Sequence, residues 1–440
     1  MSLIENTPAR VSPLEKFGTG PTPGGNRPAP SAASGMKKLL AFEDSFFLEW
    51  RLRVYGAGVF AAYAFAVLLS WSLHHNYWVV DANGHLSDID FCWIWVSGKF
   101  AVSDAPILIY DHAVFAAAQD NFFPPGECLF LHQYVYPPTF LFFTFPLGLI
   151  PYLPAFAGWV VVTLIVYLTA VYTIIPGPTA VIAALTSAAA LKNFQLGHTG
   201  FFIAALFGLS LVFMERRPWV SGVFLGLLIC KPQYGVLFPV ALLGSRNWRV
   251  VGSASVTAIV LGVVAAFAFG FQGWPSFIGS LLDRNAGLSP DGQVELSIQS
   301  VYGLLHWAGA SVRMSWTAHL IVAVIVALTV WRIWVAPIPF SLKAAVLCIG
   351  SIMFTPYVLA YDLCVLTVAV AFLVRDGLSR GFLPGERIVV LLCWAGLFWP
   401  ATPLAPIICA TLLSLVIRRF VASCRFERAQ DLHEQSSELR

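Results

Sequence analysis

Eight residues have types and positions suited to chemistry at a membrane boundary. Asp88 and Asp90 are carboxylates separated by one residue. Lys192, Gln195 and His198 share the polar stretch LKNFQLGHTG (191–200). Lys231 interrupts the apolar GLLICKPQYG, and Tyr361 and Asp362 interrupt TPYVLAYDLCVL (355–366). A carboxylate at that boundary is a general base for an incoming hydroxyl, for about 10²–10⁴-fold in rate. Two close carboxylates divide such work through shifted pKa values. The plainer role is a cap, because Asp88 and Asp90 precede an apolar helix and anions are favoured at helix N-termini. Lys192, Asn193, Gln195 and His198 read as donors around an anionic headgroup, or as an ordinary polar turn. Lys231 reads as a point charge for a phosphate, or as a snorkelling lysine. An ionisable residue inside a membrane costs at least ~2.5–3.5 kcal/mol, so Asp362 needs a partner or a function. The stretch YVYPPTF (134–140) opens a helix with Pro137 and Pro138, where proline fits. Its tyrosines read as interfacial, with little catalytic weight.

The elements that must position these residues are membrane helices. The 440 residues are 58% hydrophobic and 11% charged, against roughly 25% charged in soluble domains. The bilayer must therefore be the solvent. Candidate spans are 54–74, 135–151, 155–175, 199–214, 218–230, 232–244, 249–271, 315–335, 342–356, 357–374, 387–399 and 401–418, with 178–191 short enough to be a re-entrant half-crossing. Arginines at 216, 217, 246, 249, 332, 375, 380, 418 and 419 mark cytoplasmic loops. The loop 75–133 carries Asp81, Asp88, Asp90, Asp104, Asp111, Asp120 and Glu127 against the single Lys99, and so belongs outside. The expected fold is an all-α integral membrane protein of about twelve spans, with both termini inside. In the segment 85–111 the apolar positions Phe91, Ile94, Trp95 and Val102 fit a helix lying along the outer surface, with the aromatics Phe91, Trp93, Trp95 and Tyr110 at headgroup depth. Residues 1–40, rich in Pro, Gly, Ala and Ser, are expected to be a disordered cytoplasmic tail. Residues 41–420 form the membrane domain, and 421–440 a second cytoplasmic tail. The first apolar run reads as a retained span, since no cleavage site follows it.

In this topology all the polar interruptions fall on one face, with the two aspartates. A base, a cationic pocket and an aromatic shelf at one boundary imply an amphiphilic substrate with an anionic headgroup and a lipid tail. There is no GxGxxG and no GxxxxGK[ST] loop, so a nucleotide-sugar donor has no support. The eight cysteines form no CxxC or Cys/His cluster, which argues against structural zinc; no metal and no cofactor are expected. Cys92 and Cys128 share the outer loop, either as free thiols or as a disulfide in an oxidising compartment. A secondary transporter also has many spans and broken helices, but the sequence has no clear internal repeat.

The ordered pieces DIDFCWIWVSGKF with APILIYD, YVYPPTFLFFTFPLGLIP, LKNFQLGHTGFFIAALF, ERRPWVSGVFLGLLICKPQYGVLFPVALL, LSIQSVYGLL and TPYVLAYDLCVL resemble glycosyltransferase family 87. The likeness runs over about residues 54–420, and it implies a GT-C membrane fold. It also implies inverting transfer of a sugar, mannose foremost, from a polyprenyl-phosphate donor to a glycolipid or glycan acceptor, in the inner (plasma) membrane and on its extracytoplasmic side. Membrane lipids are the expected surroundings and nucleic acid is not an expected partner. By the resemblance Asp90 is the base, with Asp88 in reserve. Lys231, with His198 and Gln195, stabilises the departing phosphate, and Tyr361 and Asp362 orient sugar hydroxyls. Family members often carry Gln directly after the Gly of the polar turn, whereas here the order is Gln195-Leu196-Gly197-His198.

Overall fold

A computed structural model describes residues 42–74, 89–123, 134–282, 298–398 and 402–438, and among them every regular element is a helix. Asp88, Cys128 and the tail 1–40 lie outside the described residues. In order the helices are α1 (Glu49–His74), α2 (Phe91–Ala101), α3 (His112–Phe122), α4 (Leu141–Gly148), α5 (Tyr152–Ile174), α6 (Pro178–Leu185), α7 (Ala188–Leu196), α8 (Gly200–Phe213), α9 (Pro218–Leu227), α10 (Leu237–Ser245), α11 (Trp248–Phe269), α12 (Gly273–Leu282), α13 (Val301–Trp307), α14 (Val312–Val335), α15 (Phe340–Phe354), α16 (Cys364–Arg380), α17 (Glu386–Gly396) and α18 (Ala405–Glu438).

Four helical stretches are long and apolar enough to cross a membrane: Tyr152–Ile174, Trp248–Phe269, Val312–Val335 and Ala405–Ser423. The protein is a membrane protein built of helices. The apolar helices Pro138–Gly148, Gly200–Phe213, Pro218–Cys230 and Phe340–Phe354 are shorter, and at 1.5 Å per residue each falls below the ~30 Å hydrocarbon thickness. Their faces touching the rest of the chain are buried, while α11 and α14 expose rows such as Val256, Ile259, Val260 and Val263. In a bilayer such rows meet lipid tails at no hydrophobic cost.

The stretch 178–191 is not one helix. It divides at Thr186–Ser187, because the Ser187 hydroxyl accepts the Ala190 N–H and so caps a new helix, α7. The helix near the start of the described part of the acidic loop also differs from the expected surface-lying one. In α2 every residue except Lys99 is buried, with Phe91, Trp93 and Trp95 at 0%, 5% and 5% exposure. Its one-sided reading fails because the polar Ser97 and Gly98 are contact residues rather than a wet face. A Cβ on Gly98 would strike the Thr144 carbonyl oxygen, and one on Gly148 the Gly98 carbonyl, so two glycines let α2 and α4 pack backbone to backbone. Lys99 Nζ then donates to Gly148 O at 2.8 Å, and Trp95 Nε1 to Ile150 O at 3.0 Å. Cys92 is disulfide-bonded. Cys230, Cys348, Cys364, Cys393 and Cys409 are free and buried.

The same device recurs between α9 and α11, where Gly222 abuts Ser253 and Gly226 abuts Thr257. Helix α8 packs between α5, α9 and α16, and α15 packs between α14, α16 and α18. Within α18, Arg419 is not a simple cytoplasmic charge. It is buried, donates to Asp376 Oδ2 at 2.5 Å and to both Glu386 oxygens, and its third contact is Gly381 O at 3.1 Å.

Candidate active site at the helix ends

The polar residues gather where short helices stop. Gly197 ends α7 in the left-handed region at φ 67°, with its N–H on Asn193 O at 2.8 Å. The chain turns through His198 and Thr199 into α8, and Gly200 N donates to Asn193 Oδ1 at 2.8 Å. A side chain at Gly200 would collide with the Tyr361 carbonyl oxygen. Glycine there lets this turn seat against the 3₁₀ turn Ala360–Leu363, which leads into α16. The His198 and Tyr361 rings stack at 3.9 Å between centroids and 15° between planes.

Between α9 and α10 run two 3₁₀ turns, Leu228–Cys230 and Pro232–Tyr234, with Lys231 between them at φ −146°, ψ 68°. Proline after Lys231 supplies no N–H to carry a helix through. The Lys231 side chain is 5% exposed and that of Asp362 1%. Lys231 Nζ donates to Asp362 Oδ1 at 2.7 Å and to Thr199 Oγ1 at 3.3 Å. It lies 5.6, 5.2 and 5.3 Å from the ring centres of Tyr136, Tyr234 and Tyr361. Burying two such charges costs several kcal/mol each, which the pairing, the Thr199 hydroxyl and three ring faces offset. The second Asp362 oxygen accepts Leu359 N–H at 3.1 Å. Both of its oxygens are thus engaged inside the protein.

An aromatic wall completes the group. Trp93 of α2 lies 4.8 Å from the rings of both Tyr134 and Tyr136, and 6.5 Å from His198. Tyr110 Oη donates to Tyr136 O at 2.8 Å and holds this segment in place. Trp93 Nε1, Tyr134 Oη, Asn193 Nδ2 and Tyr357 Oη are buried and have no hydrogen-bond partner among the described residues. Buried polar groups are normally paired, so this is a set of donors suited to the oxygens of a hydroxylated or phosphorylated ligand. His198 lies in the turn outside the apolar helices. Burial, and then the Lys231 charge, hold its pKa well below the ordinary histidine value. The ring is neutral, and because Nδ1 accepts the Thr199 N–H at 2.7 Å, its proton sits on Nε2.

Asp90 is half-buried at the start of α2 and makes no side-chain capping hydrogen bond to it. Its carboxylate is near enough to act on the phenols of Tyr357 and Tyr361, which lie in the link between α15 and α16. Tyr361 is buried, the Tyr357 hydroxyl is shielded, and both carry phenol donors.

Asp90, His198, Lys231, Tyr361 and Asp362 are therefore brought to one place. Gln195 is half-buried and its Oε1 accepts from Tyr63 of α1 at 3.3 Å, while Lys192 is exposed on α7. Sequence reasoning passed over Thr199 and Tyr234; it read Asn193 as one donor of the polar stretch and Trp93 only as part of the aromatic shelf. It gave Tyr136 too little weight, although YVYPPTF carried the signal in its pair of tyrosines before two prolines. Tyr234, three residues after Lys231 in KPQYG, was visible on the same ground. Among the described residues no three His, Cys, Asp or Glu side chains gather to hold a metal ion.

The helical membrane bundle thus brings a buried lysine–aspartate pair, a set of donors and a carboxylate to one place. Residues 134–360, just over half the chain, match the model of glycosyltransferase family 87, and the chain belongs to that family. It is a membrane glycosyltransferase, with a donor and an acceptor as substrates. The match holds Tyr136, His198, Lys231 and Tyr357, while Asp90, Tyr361 and Asp362 lie outside it. No curated protein matches the chain, and no solved structure does.

Proposed function

We propose that the protein transfers a sugar, mannose foremost, from a polyprenyl phosphate to a hydroxyl of a glycolipid or glycan, with inversion, on the extracytoplasmic side of the inner (plasma) membrane. One observation carries the reading. The Asp90 carboxylate acts on the phenols of Tyr357 and Tyr361, beside the buried pair in which Asp362 is held by Lys231 and Leu359 N, so a base and a cation with its donors share one place. In the transfer, Asp90 takes the acceptor proton as the acceptor oxygen bonds to the anomeric carbon. The bond from that carbon to the phosphate oxygen breaks, and polyprenyl phosphate departs with its electron pair. A single displacement with one base inverts the anomeric centre. Lys231, the His198 Nε2–H and the buried indole and phenol donors meet the charge that develops on the phosphate. Such preorganised donors are worth several kcal/mol in a dry site.

Asp362 is assigned to positioning Lys231 rather than to sugar hydroxyls, which fall to Tyr361 and Tyr357. Asp88 remains the reserve base, and Gln195 supports the turn through Tyr63. The Cys92 disulfide supports an oxidising compartment for this face. In the fuller architecture the fold is GT-C-like with about twelve crossings. Helices α9 and α10 then enter from the cytoplasmic side and meet at Lys231, and 41–420 form one domain.

The test is transfer of radiolabelled sugar from polyprenyl-phosphate mannose to extracted membrane glycolipids by purified protein in lipid–detergent micelles. Asp90→Asn is expected to lose about 100-fold or more. Transfer that survives in this variant moves the base to Asp88. Absence of transfer from this donor, with transfer from another lipid-linked sugar, replaces mannose and keeps the rest.

A further inference from the structure

Helix α1 and the pair α6–α7 run side by side. Arg53 Nε, near the start of α1, donates to Thr179 Oγ1 at 3.0 Å, and Gly56 seats against Ile182. Further along, Tyr63 Oη reaches Leu191 O at 3.4 Å and Gln195 Oε1 at 3.3 Å. Contact thus climbs from the start of α6 to the last turns of α7. From position 53 to position 63 a helix rises about 15 Å, half of the ~30 Å hydrocarbon thickness. Positive charge flanking a span marks its cytoplasmic boundary, here at Arg53. Tyr63 and the last turns of α7 therefore lie near the middle of the membrane.

Lys192 follows Leu191 at this depth. It is exposed, and it makes no hydrogen bond or ion pair with the described residues. An ionisable side chain in mid-membrane costs at least ~2.5–3.5 kcal/mol and marks a route for polar or charged groups. Half the hydrocarbon is further than a lysine stem can snorkel. The next residue, Asn193, is buried and turned into the polar site, with Oδ1 on Gly200 N. Lys192 instead shares a face with Gln195, three residues on, which meets α1 through Tyr63. From Lys192 to Gly197 is a further rise of about 7.5 Å. A Cβ on Gly197 would strike Phe156 and Phe91, and Phe91 follows Asp90. The lysine thus stands just below the Asp90 end of α2, outside the polar site.

We infer that Lys192 is a second phosphate contact, separate from the Lys231 pair, which receives the phosphate of a lipid substrate between α1 and α7 on its way to the polar site. A cation without a partner at that depth calls for an anion. An anion reaches mid-membrane from the side only on an apolar chain, and the headgroups of the surrounding bilayer stay about 15 Å away at the interface. The occupant is therefore a lipid drawn into the bundle, and lysine is suited to its phosphate as a point charge. Lys231 is not open to this first contact, because Asp362, Thr199 and three tyrosine rings enclose it. The inference rests on the topology proposed above, with α1 as the first crossing, and holds for a phosphate on either the donor or the acceptor.

Equilibrium binding to purified protein in neutral detergent is measured for polyprenyl phosphate, for phosphatidylglycerol and for diacylglycerol as the uncharged control. Lys192→Gln removes the charge and Lys192→Arg keeps it. Monodisperse elution and an unchanged thermal midpoint show that each variant is folded. Lys192→Gln is expected to raise the Kd of at least one phosphate-bearing probe about tenfold, with Lys192→Arg within about threefold of wild type and diacylglycerol unchanged. Weakening confined to polyprenyl phosphate assigns the contact to the donor. Weakening confined to phosphatidylglycerol assigns it to an acceptor built on a diacyl phospholipid, and weakening of both shows a contact that reads the phosphate alone. Equal weakening of diacylglycerol, an arginine variant as weak as the glutamine one, or no Lys192-dependent binding of either phosphate overturns the site. Wild-type protein that binds no polyprenyl phosphate overturns the donor reading, while phosphatidylglycerol still decides Lys192.

Discussion

At the scale of single residues the molecule is organised by one buried ion pair. Lys231 and Asp362 are 131 positions apart and 2.7 Å from each other, at exposures where an uncompensated charge is costly. Removing one partner of such a pair typically costs about 3–5 kcal/mol, whereas replacing both by apolar groups of similar size is often neutral. Asp362→Ala is therefore expected to lower the thermal midpoint of the detergent-purified protein by that equivalent. The double variant Lys231→Met with Asp362→Leu is expected to recover most of it without recovering sugar transfer. Should the double variant melt as low as the single one, the pair is not what the stability depends on. In the proposed reaction the neutral His198, with its proton on Nε2, donates to phosphate or sugar oxygen, and His198→Phe keeps the stack on Tyr361 while removing that donor. The variant is expected to lose activity about tenfold or more with its melting temperature within two or three degrees, equivalent to about 1 kcal/mol or less.

At the scale of elements, close approach of backbones decides where the side chains arrive. Gly200 sits against the Tyr361 carbonyl, and overpacking of this kind costs about 1–3 kcal/mol. Gly200→Ala should therefore destabilise and also reduce transfer, because it pushes the His198 turn off the Tyr361–Asp362 turn. Gly158 in α5 is the contrasting case. A Cβ there would meet nothing within 4 Å, so Gly158→Ala is expected to be neutral or to stabilise by about 0.5–1 kcal/mol. A calorimetric or fluorescence melt of the two variants side by side separates contact from helix propensity. The buried cluster of Arg419, Asp376 and Glu386 ties α16, α17 and α18 together at the other end. Glu43 joins it from before α1, accepting Gly385 N at 3.3 Å and Ile388 N at 3.4 Å. Arg419→Met leaves buried Glu386 without its cation and Asp376 with only Arg380, at 3.8 Å. It is expected to cost about 3–5 kcal/mol, read as a lower melting midpoint with the KM of any protein that remains folded unchanged.

At the scale of the whole molecule, the proposed topology puts the acidic loop and the arginine-bearing loops on opposite sides of the membrane. Ser103 and Arg217 are both exposed, which makes them reporters of the two sides. A membrane-impermeant maleimide is expected to label Ser103→Cys from the extracytoplasmic side and Arg217→Cys only after the membrane is opened. Labelling of both from one side would reverse the orientation of one loop, and with it the count of crossings.

Much of this was legible in the sequence, for a physical reason. Composition decided that the bilayer is the solvent, because 58% hydrophobic residues cannot be hidden in water. Charges interrupting apolar runs marked Lys231 and Asp362, because an ionisable group in a membrane must have a partner or a use. Sequence could not say that these two are each other's partner, since nothing local links residues so far apart. Nor could it tell that α2 is buried on all sides, because a helix facing lipid and a helix facing protein are equally apolar. The glycines at 98, 148 and 200 read as breakers until their neighbours across the bundle were known. What the sequence determined by itself was the solvent, the helical class and the inventory of polar groups, all set by local free energies of transfer. Only the tertiary structure decided which of those groups meet, because that depends on how closely distant backbones can approach.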